Sequence, residues 1–419
     1  MITRKDIELM APVGSYESLM AAIQAGADAV YFGVENLNMR SHSSINFTLD
    51  DLEKIVSICR EHEIKSYLTL NIIIYDKDIQ QMKDVVDRAK ASGISAIIAS
   101  DIAVINYARE QDVEIHISTQ ANVCNIEAVK FYSRFADVMV LARELNLDQV
   151  CRIHEAIEKE GIKGPSGNLV RIEMFVHGAL CQAVSGKCYL SLHEKNYSAN
   201  RGKCLQTCRK AYIVTDKETG YELEIDNEYI MSPKDLCTIH FLNKMVDAGV
   251  RVMKVEGRAR GPEYVKTTVC CYHDALNSIA DGTYTPEKIE KWKQVLSTVF
   301  NRGFWDGYYL GQKLGEWSNV YGSKATKRKV YLGKGTNYFS KLKVAEFYME
   351  TGTLKTGDEI LIIGPTTGVI QTTVKEIRVD LENVNEVSKG KSFSIPLDSL
   401  VRRSDKLYKL VDSRKVTLQ

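Results

Sequence analysis

Residues 171–191 read RIEMFVHGALCQAVSGKCYLS, an apolar run that turns into a glycine- and cysteine-rich segment. The run Arg171–Val176 predicts a β-strand. The segment after it, from His177 to Tyr229, is too long for an ordinary strand-to-helix connection, and such segments in compact domains are usually functional. A strand of the fold and the start of a functional insertion are therefore expected to meet at His177.

Seven further apolar runs share this character and alternate with stretches whose apolar residues recur at a helical period. The eight predicted strands are Glu8–Ala11, Ala29–Phe32, Tyr67–Leu70, Ala96–Ala99, Glu114–Ser118, Val138–Leu141, Arg171–Val176 and Val252–Val255. This alternation predicts an α/β fold, a TIM-like (β/α)8 barrel over residues 1–325 with a Cys-rich insertion at about 177–229. A doubly wound open sheet is the alternative, but it has no reason to carry eight units.

In such a barrel the chemistry is located at the C-terminal ends of the strands. Polar residues follow most of the predicted strands, among them Glu35, Asn71, Asp101, Gln120, Arg143, Glu144, His177, Glu256 and Arg258. Each of them alone also suits a helix cap or a loop. Arg143, Glu256 and Arg258 are the ones we expect to bind substrate.

Five of the ten cysteines fall within 57 residues: Cys181, Cys188, Cys204, Cys208 and Cys237. Thiolates gathered in a reducing compartment indicate a bound metal rather than disulfides. A structural zinc site usually presents two tight pairs, whereas an iron–sulfur cubane is reached from separated segments. We therefore expect a 4Fe-4S cluster. Zinc is the alternative metal, and buried unpaired thiols are the alternative without a metal.

The identity of the fourth ligand depends on the local structure near Cys237. Ser232 and Pro233 predict the N-cap and first position of a helix, which would place Cys237 in its early turns. A helix N-terminus favours a thiolate and an anionic cluster. This reasoning prefers Cys237 over Cys208, which stays open as a substitute.

The C-terminal residues, 326–419, are predicted to form a small all-β barrel domain. Its predicted strands are Lys341–Phe347, Glu359–Ile363, Val369–Ile377, Ser392–Pro396 and Leu407–Leu410. The run LKTGDE at Leu354–Glu359 resembles the second domain of elongation factor Tu, a barrel type that lies beside RNA. Residues 324–419 carry 18 Lys and Arg against 11 Asp and Glu, a net charge of +7. This charge indicates a polyanion such as RNA as partner, and a solvated lysine-rich surface is the alternative.

The run FNRGFWDGYY at residues 300–309 places five aromatic residues beside Arg302. Such rings could stack on the exposed bases of single-stranded RNA, or they could close the barrel as a core plug. Elsewhere, the polar start Met1–Asp6 does not suit a signal peptide, and no apolar run approaches the length of a membrane span. We expect a cytoplasmic protein that does not enter a membrane.

Several motifs resemble the collagenase-like U-type peptidases, a bacterial family of unassigned catalytic type. The matching positions are Glu173, Phe175, Gly178, Ala179, Leu180, Cys181, Gly186, Cys188, Leu190 and Ser191. Four further runs are similar as well: Asn200–Arg209, Ser232–Cys237, Lys254–Arg258 and Phe300–Phe304. The resemblance covers nearly the whole chain and is closest to the branch of prephenate-dependent tRNA hydroxylation proteins.

The resemblance implies a cluster held at the positions of Cys181, Cys188, Cys204 and Cys237. It also implies hydroxylation of the wobble uridine of tRNA, with rRNA as the substrate of a sister branch. Prephenate or a related small molecule is implied as a partner, and a homologous partner subunit is compatible with it. In that setting Arg143, Arg258 and His177 would contact phosphate or the edge of a base that is turned out of its stack.

The family name also raises the possibility of a peptidase. The sequence has neither an HExxH zinc motif nor a GxSxG elbow. A Cys/His hydrolase built on Cys181 and His177 would require Cys181 as a free nucleophile, which conflicts with a metal role. A non-enzymatic RNA-binding protein is the third class of function.

Overall fold

The computed structural model describes residues 2–40, 47–210, 212–225, 232–312, 315–318 and 322–413. Strands and helices alternate from the N-terminus up to the Cys-rich insertion. In order they are β1 Glu8–Pro12, α1 Tyr16–Gln24, β2 Ala29–Phe32, α2 Asp51–Glu61, β3 Lys65–Leu70, α3 Ile79–Ser92, β4 Ala96–Ala99, α4 Ile102–Glu110, β5 Ile115–Ile117, α5 Ile126–Tyr132, β6 Val138–Val140, α6 Leu147–Glu160 and β7 Arg171–Gly178.

The insertion and the last barrel elements follow β7. They are α7 Leu190–Lys195, β8 Tyr212–Thr215, β9 Glu222–Ile225, β10 Asp235–Cys237, α8 Leu242–Asp247, β11 Val250–Val255, α9 Pro262–Ala280, α10 Pro286–Leu296 and β12 Phe304–Trp305. β8 and β9 pair only with each other among the described residues, as an antiparallel hairpin.

Strands β1 to β7 and β11 form a closed parallel barrel. β11 pairs with β1 on one side and with β7 on the other, which closes the sheet. Local sequence explains the helices between the strands. For example, Asn146 caps α6 in a capping box with Gln149, and Gly161 ends that helix in the left-handed conformation. The TIM-like barrel predicted from the sequence is confirmed.

The prediction of a helix beginning at Ser232 and Pro233 is wrong. Pro233 makes an isolated antiparallel bridge with Trp317, and Cys237 belongs to strand β10 rather than to a helix. β10 pairs antiparallel with the end of β7 and parallel with β12. These long-range pairings provide the backbone hydrogen bonds that a helix would have formed locally. Pro233 precedes the strand, so its missing N–H group removes no hydrogen bond from the sheet. The predicted end of the insertion at Tyr229 lies outside the described residues.

The C-terminal region is all β, as predicted. Its strands are β13 Lys327–Phe339, β14 Val344–Met349, β15 Thr353–Lys355, β16 Glu359–Gly364, β17 Gly368–Thr373, β18 Ile377–Val379, β19 Glu382–Val384, β20 Glu386–Ser388, β21 Ser392–Pro396 and β22 Lys406–Asp412. Eight of them form an antiparallel sheet in the order β17-β16-β22-β13-β14-β21-β18-β19, and β15 pairs with β20. The long strand β13 was not among the predicted strands. The likeness to elongation factor Tu stays a prediction.

The aromatic run after α10 is part of the core. Trp305 and Tyr309 are buried, and the Tyr309 hydroxyl donates to the Phe175 carbonyl at 3.0 Å. Trp305 lies on β12, next to β10. Of the two predicted alternatives, a surface for stacking on RNA bases and a core plug that closes the barrel, the run therefore forms the core plug.

Strand β16 joins the two regions through its alternating faces. Ile360 and Ile362 point into the core of the C-terminal sheet, whereas Leu361 and Ile363 belong to the apolar cluster of the barrel. β17 packs against α1 and α9, and Gln24 of α1 donates to the Thr367 carbonyl at 2.8 Å. Within the described residues, no helix is long and apolar enough to cross a membrane.

We predict that Leu361→Ala lowers the free energy of unfolding by about 2–4 kcal/mol, because it opens a cavity at a fully buried contact between the two regions. Denaturant unfolding monitored by circular dichroism measures the change. Leu381→Ala, the same substitution at a side chain that is 89% exposed, should change stability by less than about 0.5 kcal/mol. Equal losses in the two variants would contradict the proposed contact.

Candidate functional site

A cavity of about 210 Å³ opens at the C-terminal ends of the barrel strands. Its floor is made by side chains near the strand ends, such as Tyr31 on β2, Thr69 on β3 and Phe175 on β7. Its upper wall comes from the insertion, between Ala179 and Arg209. The insertion therefore covers the end of the barrel at which barrel enzymes bind their substrates.

Positive charge dominates the cavity wall. Seven cationic residues line it: Arg40, Arg143, Arg209, Lys254, Arg258, Arg260 and Arg302. Three carboxylates pair with members of this set, namely Glu256 with Arg40 at 2.8 Å, Glu173 with Lys254 at 2.7 Å and Asp235 with Arg302 at 3.4 Å. The cations outnumber these carboxylates, and an excess of charge on buried and partly buried side chains favours anionic partners.

Glu256 is the acidic residue on the wall itself. Burial alone would raise the pKa of its carboxyl group, but the charges of Arg40 and Arg260 and the hydrogen bond from Arg40 lower that pKa to about 2. Glu256 is therefore ionised at neutral pH. Its pairing also orders Arg40, which comes from the loop after β2.

The two arginines predicted from the strand ends, Arg143 and Arg258, both line the cavity. Arg258 donates to the Thr69 hydroxyl at 2.7 Å, and burial lowers the pKa of its guanidinium to about 10. Arg143 lies over the Phe175 ring at 3.9 Å, and its Nη1 donates to the Ala179 carbonyl at 3.3 Å. The buried Nε of Arg143 has no hydrogen-bond partner among the described residues.

Below the cavity, charged side chains are buried among the apolar side chains of the barrel interior. Lys254 and Glu173 form a pair in which both side chains are almost fully buried. The second oxygen of Glu173 lies 3.8 Å from Nδ1 of His116, and neither atom has a hydrogen-bond partner among the described residues. Deeper still, the Tyr67 hydroxyl donates to buried Glu8 at 2.8 Å.

Four thiols of the insertion line the same cavity: Cys181, Cys188, Cys204 and Cys208. Burial raises the pKa of the Cys208 thiol to about 11, and the other three thiols add to this rise while Arg209 opposes it. Cys181 and Cys204 likewise add to the raised pKa of Cys188, for which burial is the main cause. The four sulfur groups therefore lie close enough to interact electrostatically.

Gly178 and Gly186 explain how the insertion comes so close to the strand ends. Gly178 has φ +106°, and a Cβ there would lie 2.5 Å from the Glu256 carbonyl oxygen. Gly186 has φ +75°, and a Cβ there would lie 2.1 Å from Oε1 of Gln120. Other residues at these positions would be strained and would push the insertion away from the barrel.

Cys237, the predicted fourth ligand, does not line this cavity. It lies on β10, where the Tyr272 hydroxyl is 4.0 Å from its sulfur and burial raises the pKa of the thiol to about 11. The helix that favoured Cys237 is absent from residues 232–241, which are all described. The structure thus brings together three of the four predicted ligands with Cys208, the substitute. Ligation by any of them stays a prediction.

His177 is also turned away from the cavity. The pairing of β7 with β11 is irregular between Phe175 and His177, a β-bulge that moves His177 off the face that carries Glu173. Its ring contacts Tyr272 and Phe304, and burial lowers its pKa to about 3. His177 is a neutral residue of the outer core in this structure and does not contact the cavity.

The donor chemistry of the cavity suits an iron–sulfur cluster. Thiol side chains are the usual ligands of four-iron clusters, and a cubane with four thiolates is anionic, as the cationic wall requires. As the described side chains stand, no three His, Cys, Asp or Glu residues are grouped to hold a single metal ion. The four thiols instead share the wall of a larger cavity.

Several cavity residues were missed in the sequence, namely Arg40, Arg209, Lys254, Arg260 and Arg302. For Lys254 a signal was present, because alternation along KVEGR places Lys254, Glu256 and Arg258 on one face. The other four lie in loops or in the insertion, where no periodicity tells which way a side chain points.

The fold and cavity therefore define a barrel protein with a cationic, thiol-lined site at the end where barrel enzymes act. The chain belongs to peptidase family U32, whose sequence model matches residues 14–319. It is 64% identical over 404 residues to a protein named "Collagenase" from Porphyromonas gingivalis, covering 96% of this chain and 98% of that one.

Two other relatives have names from RNA modification. "tRNA hydroxylation protein P1" from Bacillus subtilis is 30% identical over 385 residues, or 90% of this chain and 88% of that one. "23S rRNA 5-hydroxycytidine C2501 synthase" from Escherichia coli is 35% identical over 282 residues, or 66% of this chain and 40% of that one. The names in the family thus span two different chemistries.

We predict that Glu173→Gln lowers the free energy of unfolding by about 3–5 kcal/mol, because it leaves the Lys254 ammonium buried without its counter-charge. Chemical denaturation measures the loss. Glu114→Gln is the matched control at a half-exposed carboxylate and should cost less than about 1 kcal/mol. Adding Lys254→Met to Glu173→Gln should recover part of the loss, and the absence of any recovery would contradict the pairing.

Proposed function

We propose that this protein is a cytoplasmic RNA-modifying enzyme whose cavity holds an iron–sulfur cluster, and that it hydroxylates C5 of the wobble uridine of tRNA. One observation carries the proposal: four thiols and seven cations line a single cavity at the C-terminal end of the barrel. Thiols suit a cluster, and cations suit the anionic groups of a nucleotide and of a small acid. No other part of the described molecule combines the two.

The cluster would be held by Cys181, Cys188, Cys204 and Cys208. These are the thiols on the cavity wall, and the raised pKa of Cys208 reflects its proximity to the other three as well as its burial. When bound, the cluster would supply electron transfer at the cavity. The protein residues around it supply binding, orientation and a wall of positive charge.

Arg143 and Arg258 would hold the anionic groups of the substrates. A guanidinium presents a planar set of donors that matches carboxylate and phosphate. Arg258 is fixed by Thr69 and Arg143 by the Phe175 ring and the Ala179 carbonyl, so both are positioned before a ligand arrives. Prephenate is a dicarboxylate, so it carries the negative charge that these arginines would bind. The phosphates that flank a turned-out uridine also carry negative charge.

The choice of RNA as substrate is supported by the relatives and by charge. Both relatives named for hydroxylation modify RNA by name. The C-terminal region adds a net charge of +7 over residues 324–419, which favours a polyanion. We choose tRNA over rRNA because this chain covers 88% of the tRNA hydroxylation protein but only 40% of the rRNA enzyme.

A peptidase is the second candidate, and the name of the 64% identical relative favours it. A cysteine peptidase needs an imidazole within hydrogen-bond reach of its thiol. Among the described residues that line the cavity none is a histidine, and His177 faces the outer core. The peptidase hypothesis requires cleavage of gelatin by metal-free protein that is lost in Cys181→Ser.

We predict that anaerobically purified protein is brown, with broad absorbance near about 400 nm, and that Cys208→Ser loses this absorbance and the bound iron. Cys237→Ser is the matched control and should keep both, because Cys237 does not line the cavity. Iron and sulfide analysis with absorbance spectra measures the outcome. Loss in Cys237→Ser with retention in Cys208→Ser would reverse the ligand assignment, and colourless protein carrying one zinc would remove the cluster.

We predict that deleting the gene for this chain removes 5-hydroxyuridine from the wobble position of tRNA. Nucleoside analysis by mass spectrometry measures the content. Expression of the wild type or of Cys237→Ser should restore it, whereas Cys208→Ser should not. An unchanged hydroxyuridine level in the deletion strain would defeat the tRNA assignment.

A further inference from the structure

The Cys-rich insertion carries exposed aromatic rings on its outer surface, although such rings are normally buried. Tyr189 is 67% exposed and Tyr197 is 42% exposed. A third tyrosine, Tyr75, is 50% exposed and lies in the loop after β3. None of these three rings serves the core, in contrast to the aromatic run at residues 300–309.

Tyr75 and the insertion are tied together as one surface. The Ile73 amide donates to the Asn200 carbonyl at 3.1 Å, and Arg201 donates back to the Ile73 carbonyl at 2.6 Å. Arg201 also pairs with Asp78 at 2.8 Å, and its guanidinium lies over the Tyr75 ring at 4.2 Å. The loop after β3 and the insertion therefore hold Tyr75 in a defined place.

Each of these rings has a cationic group near it, either in space or in the chain. Lys203 lies 5.4 Å over the Tyr197 ring, and Lys187 and Lys195 are exposed nearby in the chain. Residues 177–210 carry six Lys and Arg against one Glu, so this part of the insertion is strongly positive. Exposed aromatic rings among cations are the features that bind single-stranded nucleic acid, by stacking on bases and by attracting phosphates.

The same segment forms part of the cavity wall. Gly186, Ala199, Cys204 and Gln206 line the cavity, while Tyr189, Tyr197 and Lys203 stand between or beside them in the chain. A single strand on the outer surface would therefore pass the cavity mouth. One base could enter the cavity while its neighbours stack outside.

We propose that Tyr75, Tyr189 and Tyr197, with the cationic residues around them, form a binding surface for single-stranded RNA beside the cavity. This inference rests on the proposed function, since it names where the RNA substrate of the same site binds. In this arrangement the single-stranded loop of the RNA binds to the insertion. The surface prefers unpaired RNA because a duplex keeps its bases stacked inside and offers none to the tyrosines.

The test measures binding of a fluorescein-labelled oligouridine of about 12 nucleotides to the full-length, anaerobically purified protein by fluorescence anisotropy. Tyr189→Ala should weaken binding about tenfold, and Tyr75→Ala and Tyr197→Ala should act in the same direction. Tyr189→Phe keeps the ring and should stay within about twofold of the wild type. Phe131→Ala, at a ring of helix α5 that is 45% exposed and lies under a cation in the same way, should leave binding unchanged.

A charge variant gives a second readout that does not depend on the aromatic rings. Lys187→Gln should weaken binding of every sequence equally and reduce the slope of log affinity against log salt by about 0.7. The absorbance of each variant confirms that its cavity is intact.

Oligouridine binding that is unaffected by the three Tyr→Ala variants, or equal binding of duplex RNA, would overturn the surface. The proposal would also be overturned if these tyrosines bound a protein partner and not RNA. Because this assay needs no turnover, its failure is separate from failure of the hydroxylation proposal, which the nucleoside analysis of the deletion strain decides.

Discussion

The arrangement of the site depends on positive charge that is buried or partly buried at one end of a closed barrel. Seven cations share the cavity wall, and three carboxylates balance part of their charge. Burying unbalanced charge is costly unless an opposite charge or a set of hydrogen bonds compensates it. The fold accepts this cost at the end of the barrel where the insertion closes over the strand ends and adds four thiols to the same wall. Stability alone does not account for such a wall, whereas the binding of anions does.

The barrel could be predicted from the sequence because its strands are buried and short, and most of them are followed by a helix with a clear apolar period. All eight predicted strands are present, with ends shifted by at most two residues. The long strand β13 could not be predicted because polar and apolar residues do not alternate cleanly along Lys327–Phe339. The strand pairs with a neighbour on each side, and each pairing contains one register shift. Its partners lie far away in the sequence, and no local pattern reveals them.

The site could be predicted only in part, and the reasons are physical. Three of the predicted thiols and the two predicted arginines line the cavity, and they could be singled out because spacing and strand ends are local features. Cys237 and His177 do not line the cavity, and no local pattern could show this because their surroundings depend on long-range pairing. The strand that contains Cys237 exists only because β7 and β12 lie on either side of it, and the bulge before His177 arises where β7 meets β11. Glu173 and Lys254 form an ion pair in the barrel interior. The alternation of residues along their strands shows that each shares a face with its second neighbours, but the same alternation is typical of a solvent-exposed face. Only the closed barrel shows that this face is buried.

The names carried by relatives point to proteolysis and to RNA hydroxylation, and the same barrel can host either, so the fold cannot choose between them. The choice has to come from the groups that would touch a substrate. Hydrolysis of a peptide needs an activated nucleophile or a metal-bound water, and among the described residues that line the cavity no histidine can act as the base for a thiol. A redox cofactor and an anionic substrate need both thiols and cations at once, in one cavity that shields them from water. The high identity to a protein named as a collagenase therefore argues for a shared site, and the chemistry of that site is the ground on which we propose an activity on RNA.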